Sequence, residues 1–218
     1  MKSKTKLIDR TLVLTTLVCI LPILFSLSVY DRLPQQVPIH FDASGNPDNY
    51  AHKAFAAFGI PLLLAFFNFI LQLGLKFDPK RDTSSRIYHI SRWIIASVSL
   101  LVMPITLLIA LGNDIPVEKV VPLFVSLLFL ILGNYLPKCK QNYTIGIKLP
   151  WTLASEYNWN KTHRFAGWVW TAVSIILLAG LLLNLNSALL FMIAIPVLTF
   201  LPIIYSFVLS FREPAETP

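Results

Sequence analysis

Glu156 and His163 are the residues of this chain best placed for acid–base chemistry. They are seven residues apart in a segment of helical character, and two helical turns put both on one face. A carboxylate beside an imidazole can move protons. The rest of the sequence gives no enzyme signal, since its four histidines lack metal-ligand spacing and it has no nucleophile elbow, phosphate-binding loop or dinucleotide glycine pattern. We predict no catalytic residues, no cofactor and no metal; an enzyme built around Glu156 and His163 is the weakest alternative.

A second set of polar residues resembles the start of a calcium loop. Oxygen-bearing side chains occupy every second position, at Asp42, Ser44, Asn46 and Asp48. The match fails further on, because the glycine is fourth rather than sixth and Lys53 stands at the twelfth position, where calcium needs a bidentate glutamate. A hydrogen-bonded turn is therefore the favoured interpretation.

These residues must be positioned by membrane helices. Hydrophobic residues make up 56% of the 218-residue chain and charged residues 13%, which is outside the range of an ordinary soluble domain. Six apolar stretches are each near the roughly 20 residues needed to cross a bilayer as a helix. The sequence predicts an all-α, polytopic membrane protein with six transmembrane helices, at 11–29, 54–75, 93–111, 120–136, 165–185 and 188–210.

Basic residues predict the orientation of these helices. Fifteen of the 18 lysines and arginines fall on one side, including Lys2, Lys4, Lys6 and Arg10 before the first span. The positive-inside rule then places both termini in the cytoplasm and the loops 30–53, 112–119 and 184–187 outside. We predict a multi-pass membrane protein that contacts lipid and does not bind nucleic acid directly. Cys19 and Cys139 lie in different regions, so no disulfide is expected.

The outer loop 30–53 is longer than a connector needs to be. Pro34 and Pro38 stiffen an extended segment in which Val37, Ile39 and Phe41 alternate as in a strand. A tight turn is predicted at 44–48.

The inner loop 137–164 has two interpretations. Pro150 ends an extended piece, and Thr152 or Ser155 can cap a helix leading into the fifth span. On that helix a shared face is predicted for Glu156, Trp159, Asn160, His163 and Gly167. Physics alone favours a boundary helix with tryptophans in the aromatic belt and Lys161 and Arg164 reaching lipid phosphates. The alternative is a polar pocket in which Lys148 and His163 approach Asn134 and Glu156.

Transport is the rival function from another class. Proline occurs in five of the six spans, and broken helices line many transport sites. The strongest polar groups at or near membrane depth are Asn68, Gln72 and Asn134. Because no charged side chain is evident within a span, an ion-coupled carrier is disfavoured.

Two motifs carry a family resemblance. Leu33-Pro34-Gln35-Gln36-Val37-Pro38-Ile39-His40-Phe41, with Gly45 and Lys53, resembles a bacterial membrane domain of unknown function. The segment from Gly133 to His163 is similar to the C-terminal half of the SdpI family, which gives immunity against the sporulation-delaying-protein toxin. Lys148 departs from the arginine expected there and loses its bidentate fork. The residues that carry this second motif include Asn134, Asn142, Gly146, Lys148, Pro150, Trp151, Trp159 and His163.

The resemblance implies an integral membrane immunity protein that protects a bacterium from a secreted toxin peptide. It also implies signalling, in which an ArsR-type repressor is held at the membrane. We expect an N-terminal two-helix unit at 1–92 and an SdpI-like four-helix unit at 93–218. The ligand- or partner-binding residues are predicted to be Pro34, Pro38, His40, Phe41, Asn134, Asn142, Gly146, Lys148, Pro150, Trp151, Glu156, Trp159 and His163.

Overall fold

A computed structural model describes residues 8–212, and within them the six predicted spans are confirmed as long apolar helical segments. The basic residues Lys2, Lys4 and Lys6 lie outside the described part. Much of each segment's surface is exposed apolar side chain, as expected of helices that face lipid. The segments are Arg10–Arg32, Phe55–Phe77, Arg86–Ala110, Val117–Lys138, Glu156–Leu182 and Ser187–Ser210.

Proline interrupts only two of the spans. The first is divided into α1 (Arg10–Ile20) and α2 (Pro22–Val29), because Pro22 has no N–H to continue the ladder. In the second, a π-helical turn at Phe55–Gly59 precedes α3 (Ile60–Phe77), whose second residue is Pro61. The other spans are α5 (Ile94–Ala110), preceded by the short helix α4 (Arg86–Ser91), then α6 (Val117–Tyr135), α8 (Glu156–Leu182) and α9 (Ser187–Ser210), and their prolines lie inside unbroken helices.

The packing divides the chain into two compact units. Within the described residues, unit 1 contains 8–76 and His89–Ile115, and unit 2 contains Phe77–Tyr88 and 116–212. The predicted boundary at residue 92 concerns sequence segments and stays a prediction.

Unit 1 is held together by small buried residues and by hydroxyls that bond to backbone across helices. Ser99 Oγ donates to the carbonyl of Cys19 at 2.7 Å, and Ser26 Oγ donates to that of Ala57 at 2.9 Å. Both serines are buried. In lipid, such bonds hold neighbouring helices at a defined rotation.

Unit 1 also contains a β-hairpin, so the protein is mostly rather than entirely helical. Strand β1 (Gln36–Phe41) pairs antiparallel with β2 (Pro47–His52). The predicted strand is confirmed. The turn lies at residues 42–46, two residues before the predicted 44–48, because Pro47 and Asp48 already belong to β2. The strict alternation is not, because the register shifts between Pro38 and His40 and leaves Ile39 without a partner across the ladder.

Unit 2 depends on glycines where α6 and α8 approach closely. A Cβ on Gly133 would lie 2.8 Å from the backbone nitrogen of Thr171, and one on Gly167 would lie 2.4 Å from Pro137. Small residues allow this close approach. α9 joins through Trp170, whose indole N–H donates to the carbonyl of Leu198.

Candidate functional site

The loop between α6 and α8 (137–155, the signature loop) folds against unit 2. It leaves α6 through a 3-10 turn at Leu136–Lys138 and ends in the short helix α7 (Pro150–Ala154). Thr152 Oγ1 accepts from the backbone of Leu149, and Ser155 caps α8 by accepting from Asn158 N–H. Ser155 is therefore confirmed as the cap of the helix leading into the fifth span, whereas Thr152 lies inside α7 and bonds to the residue before that helix.

Asn142 organises the middle of the signature loop. Its side-chain oxygen accepts from the backbone N–H groups of Thr144 and Ile145 at 2.9 and 2.6 Å. Its amide nitrogen donates to the carbonyl of Lys140 at 2.8 Å. The side chain is buried, and its replacement would leave several buried groups unpaired.

Asp78 anchors the loop from a distant point in the sequence. Its carboxylate accepts from Tyr143 N–H at 2.7 Å and from Thr144 Oγ1 at 2.8 Å. The next acid, Asp82, pairs with Lys140 at 3.2 Å. Hydrogen bonds from Ser84 and Lys140 hold the pKa of Asp82 below its usual value. Sequence reasoning missed Asp78, because an aspartate in a basic loop looks like any solvated charge.

His163 closes the loop onto α8. Its Nε2 accepts from the backbone N–H of Ile147 at 2.9 Å, so Nδ1 carries the proton and donates to the carbonyl of Trp159 at 2.8 Å. The imidazole is therefore neutral and fully buried. Gly146 lies beside it with φ +110°, and a Cβ there would be 2.3 Å from His163 Nε2.

Trp159 forms the floor beneath the loop. Its ring stacks on His163 with centroids 4.0 Å apart, and its indole N–H donates to the carbonyl of Cys139 at 2.7 Å. Burial raises the pKa of the Cys139 thiol to about 11. The thiol is consequently unreactive at neutral pH.

The predicted polar pocket, in which Lys148 and His163 approach Asn134 and Glu156, does not form. Both ring nitrogens of His163 bond to backbone, so no Glu156–His163 pair forms and the enzyme alternative loses its acid–base couple. Asn134, Lys148 and Glu156 are exposed. Of the predicted helix face, Trp159, His163 and Gly167 are buried. Glu156, in the first turn of α8, and Asn160 are exposed, because they point away from the packed side of the helix.

The boundary-helix interpretation is also wrong for most of the tryptophans. Trp151 N–H donates to Ser206 Oγ at 3.0 Å, while Trp159 and Trp170 bond to backbone within unit 2. Trp168, with 71% of its surface exposed, fits an aromatic belt. Pro150, like Lys148, is exposed at the loop surface.

The remaining predicted binding residues lie in or next to the hairpin of unit 1 and differ in how far they are buried. Pro38 is buried, Phe41 is half-buried, and Pro34 and His40 are exposed. His40 Nδ1 contacts the carboxylate of Asp48.

The turn of the hairpin is closed by a carboxylate. Asp42 accepts from the backbone N–H groups of Ser44 and Asn46, both at 2.8 Å. These bonds, with the Asn46 backbone bond the largest cause, lower the pKa of Asp42. The favoured turn is therefore the geometry observed, and Gly45 supplies its positive φ of +83°.

A buried chain of polar groups runs through the spans of unit 1. Asn68 Nδ2 and Gln72 Nε2 both donate to Thr15 Oγ1, at 3.0 and 3.1 Å. Gln72 also accepts from the guanidinium of Arg92, which in turn bonds to Asp9. Arg92 is buried just before α5, in the third span. The expectation that no charged side chain lies within a span is therefore wrong for that span. Sequence reasoning missed Arg92 because hydropathy alone started that span at residue 93.

Comparisons with known proteins agree with both motifs. Residues 17–65 match the family model DUF1648, a domain of unknown function, and residues 138–206 match that of the SdpI/YfhL protein family. The chain is 28% identical over 155 residues to "Immunity protein SdpI" of Bacillus subtilis (strain 168), covering 71% of this chain and 73% of the relative. No solved structure matches the chain. With six helices able to span a bilayer, the chain is a multi-pass cell-membrane protein that is similar to the SdpI/YfhL family over residues 138–206 and to DUF1648 over residues 17–65.

Proposed function

We propose that this protein protects a bacterium from a secreted, membrane-active toxin peptide. The observation that carries the proposal is the similarity to an immunity protein over 71% of the chain. The two family-model matches, at 17–65 and 138–206, take in the hairpin and most of the signature loop. Direct capture of the peptide by the hairpin is the mechanism that we infer.

Support for the hairpin as the receptor comes from its fixed base and exposed tip. Val37 is fully buried, and the strands are tied at their base by Lys53 N–H donating to the carbonyl of Gln35 at 2.9 Å. Lys53 Nζ lies 4.6 Å from the centroid of the Tyr30 ring. Tyr50 is exposed on β2. A rigid two-stranded element with an aromatic face can bind an extended or amphipathic peptide at low entropic cost.

The orientation belongs to the same proposal. The excess of lysine and arginine on one side supports cytoplasmic termini and an external hairpin, where it would meet a secreted peptide. The signature loop then faces the cytoplasm, and its exposed lysines support a second role in holding an ArsR-type repressor at the membrane.

Transport remains the alternative, and the buried polar chain of unit 1 favours it. Thr15, Asn68 and Gln72 are buried in the spans, and polar groups at membrane depth often mark a substrate path. Asn68 Oδ1 is buried without a hydrogen-bond partner in the described part of the chain.

Survival and uptake assays separate the two functions. A sensitive strain expressing this chain is challenged with a panel of cationic and hydrophobic toxin peptides, beside an empty-vector control. We expect the chain to raise survival and Asp42→Ala, which opens the hairpin turn, to remove most of the protection at equal membrane abundance. The matched control is Asp114→Asn, at an exposed acid outside the hairpin. Unchanged survival across the panel, with accumulation of a solute that Gln72→Leu abolishes, would establish transport instead.

A further inference from the structure

Two cations converge on one tyrosine where α6 ends. The guanidinium of Arg86 hydrogen-bonds to the side chain of Tyr135, and Lys138 Nζ lies 5.6 Å from the centroid of the same ring. Both cations are exposed. Within residues 8–212, no acidic side chain lies in ion-pair contact with either of them. Two like charges held this close attract an anion.

The amide of Asn134 adds a neutral donor at the same helix end. Its side chain is exposed and forms no hydrogen bond within the described residues. Asn134 lies in the last turn of α6, and Lys138 ends the 3-10 turn that follows, so both are at the same end of the helix. The arrangement therefore offers two charges and a hydrogen-bond donor to one group of oxygens.

An apolar stripe leads along α6 to this cluster. Leu123, Leu127 and Ile131 follow a four-residue spacing, and each exposes 43% of its surface. Asn134, three residues after Ile131, continues this stripe on α6, and Lys138 follows in the 3-10 turn beyond the helix end. The opposite side of α6 is occupied by α8, since Gly133 is buried in close contact with Thr171.

We propose that this end of α6 binds the phosphate diester of an anionic phospholipid, with an acyl chain lying along Leu123, Leu127 and Ile131. Arg86 and Lys138 neutralise the phosphate and Asn134 donates to it, while Tyr135 holds the two cations in position. The site depends only on the membrane location of the chain and is independent of the proposed immunity function. Free phosphate offers the same oxygens but lacks the acyl chain, so the apolar stripe favours the lipid.

Native mass spectrometry of the purified full-length chain in detergent tests this assignment. The probes are dioleoyl-phosphatidylglycerol, dioleoyl-phosphatidylcholine and inorganic phosphate. We expect phosphatidylglycerol to bind in preference to phosphatidylcholine and to resist displacement by inorganic phosphate. The double variant Arg86→Gln, Lys138→Gln should bind phosphatidylglycerol about 30-fold more weakly.

The matched control is Lys119→Gln, Arg212→Gln, which removes two exposed charges elsewhere in unit 2. It should change affinity less than about twofold, because these charges lie outside the proposed site and their effect on it is screened. An equal loss in both double variants, equal binding of the two lipids, or displacement by inorganic phosphate would each overturn the proposal. Tyr135→Phe keeps the packing and removes the tether of Arg86, so it serves if the double variant fails to fold. Unchanged phosphatidylglycerol binding by Tyr135→Phe would also overturn it.

Discussion

At the scale of single residues, the signature loop is specified by groups whose hydrogen bonds are all internal. Asn142 uses its amide to shape the loop, and His163 uses both ring nitrogens to hold it on α8. The sequence motif of this region thus contains buried residues that hold the loop together and exposed residues on its surface. Lys148 and Asn134 are among the exposed residues of the motif.

Replacing Gly146 by alanine tests the point at which the signature loop packs most closely against His163 of α8. The residue has φ +110° and its Cβ would collide with a buried imidazole, so both strain and overlap oppose alanine. We expect a loss of about 2–4 kcal/mol in the free energy of unfolding, measured by thermal or denaturant unfolding in detergent. Gly112→Ala is the control, since Gly112 has φ +88° with nothing within 4 Å of its Cβ. It should cost about 1–2 kcal/mol, and an equal loss in both variants would contradict the overlap.

His163 and its neighbour Arg164 form a second matched pair. His163→Ala leaves the N–H of Ile147 unpaired and a cavity under the loop, so we expect a loss of at least about 2 kcal/mol. Arg164→Ala removes an exposed side chain and should stay within about 0.5 kcal/mol. If both variants unfold at the same temperature in detergent, His163 does not hold the signature loop against α8. Protection should follow the same order in the survival assay.

Asp82 gives the loop a pH dependence with a definite sign. Because its pKa is lowered in the folded chain, its stabilising effect is present above the ordinary aspartate value of about 3.9. That effect disappears as the pH falls through the lowered folded value. Asp82→Asn should therefore reduce the unfolding temperature at pH 7 and leave it unchanged at the lowest pH at which the chain stays folded. A difference that persists below the folded pKa would show that the carboxylate charge is not responsible.

At the scale of elements, features that depend on local sequence were predictable. The spans follow from uninterrupted apolar length, α8 begins where Ser155 can cap it, and the hairpin turn follows from Asp42 and Gly45. Features that depend on a distant partner were not. Asp78 meets the loop across 65 residues of chain, and the face of α8 that is buried depends on which helix packs there. The Glu156–His163 pair failed for this reason, since helical spacing places residues on a face without saying what covers it.

The orientation of the spans is tested by labelling with a membrane-impermeant thiol reagent. Cysteine introduced at Ser44, in the exposed hairpin turn, should label in intact cells, whereas cysteine introduced at Lys148 should label only after lysis. Native Cys139 is an unsuitable reporter, because it is buried and its thiol pKa is raised. It would stay unlabelled from either side. Labelling of the Lys148→Cys variant in intact cells would reverse the orientation and move the signature loop outside.

At the scale of the whole molecule, the order of the chain does not follow the order of its compact units. Unit 1 takes α5 from the far side of the segment Phe77–Tyr88, which itself belongs to unit 2. A fragment ending at residue 92 would lack α5 and its Ser99 bond to the first span. We expect such a fragment to be degraded in cells, and a fragment extended to Ile115 to accumulate, as measured by immunoblotting of membranes. Equal abundance of the two fragments would show that α5 is dispensable for unit 1.

The Asp78 anchor also has a consequence for biosynthesis. Its carboxylate is made about 65 residues before the Tyr143 and Thr144 groups that satisfy it. At about 5–20 residues per second, a translating ribosome leaves Asp78 without these partners for roughly 3–13 s. During that interval at least two further spans must enter the membrane, so unit 2 cannot be completed helix by helix as the chain emerges. Its assembly must wait until the ribosome has passed the signature loop.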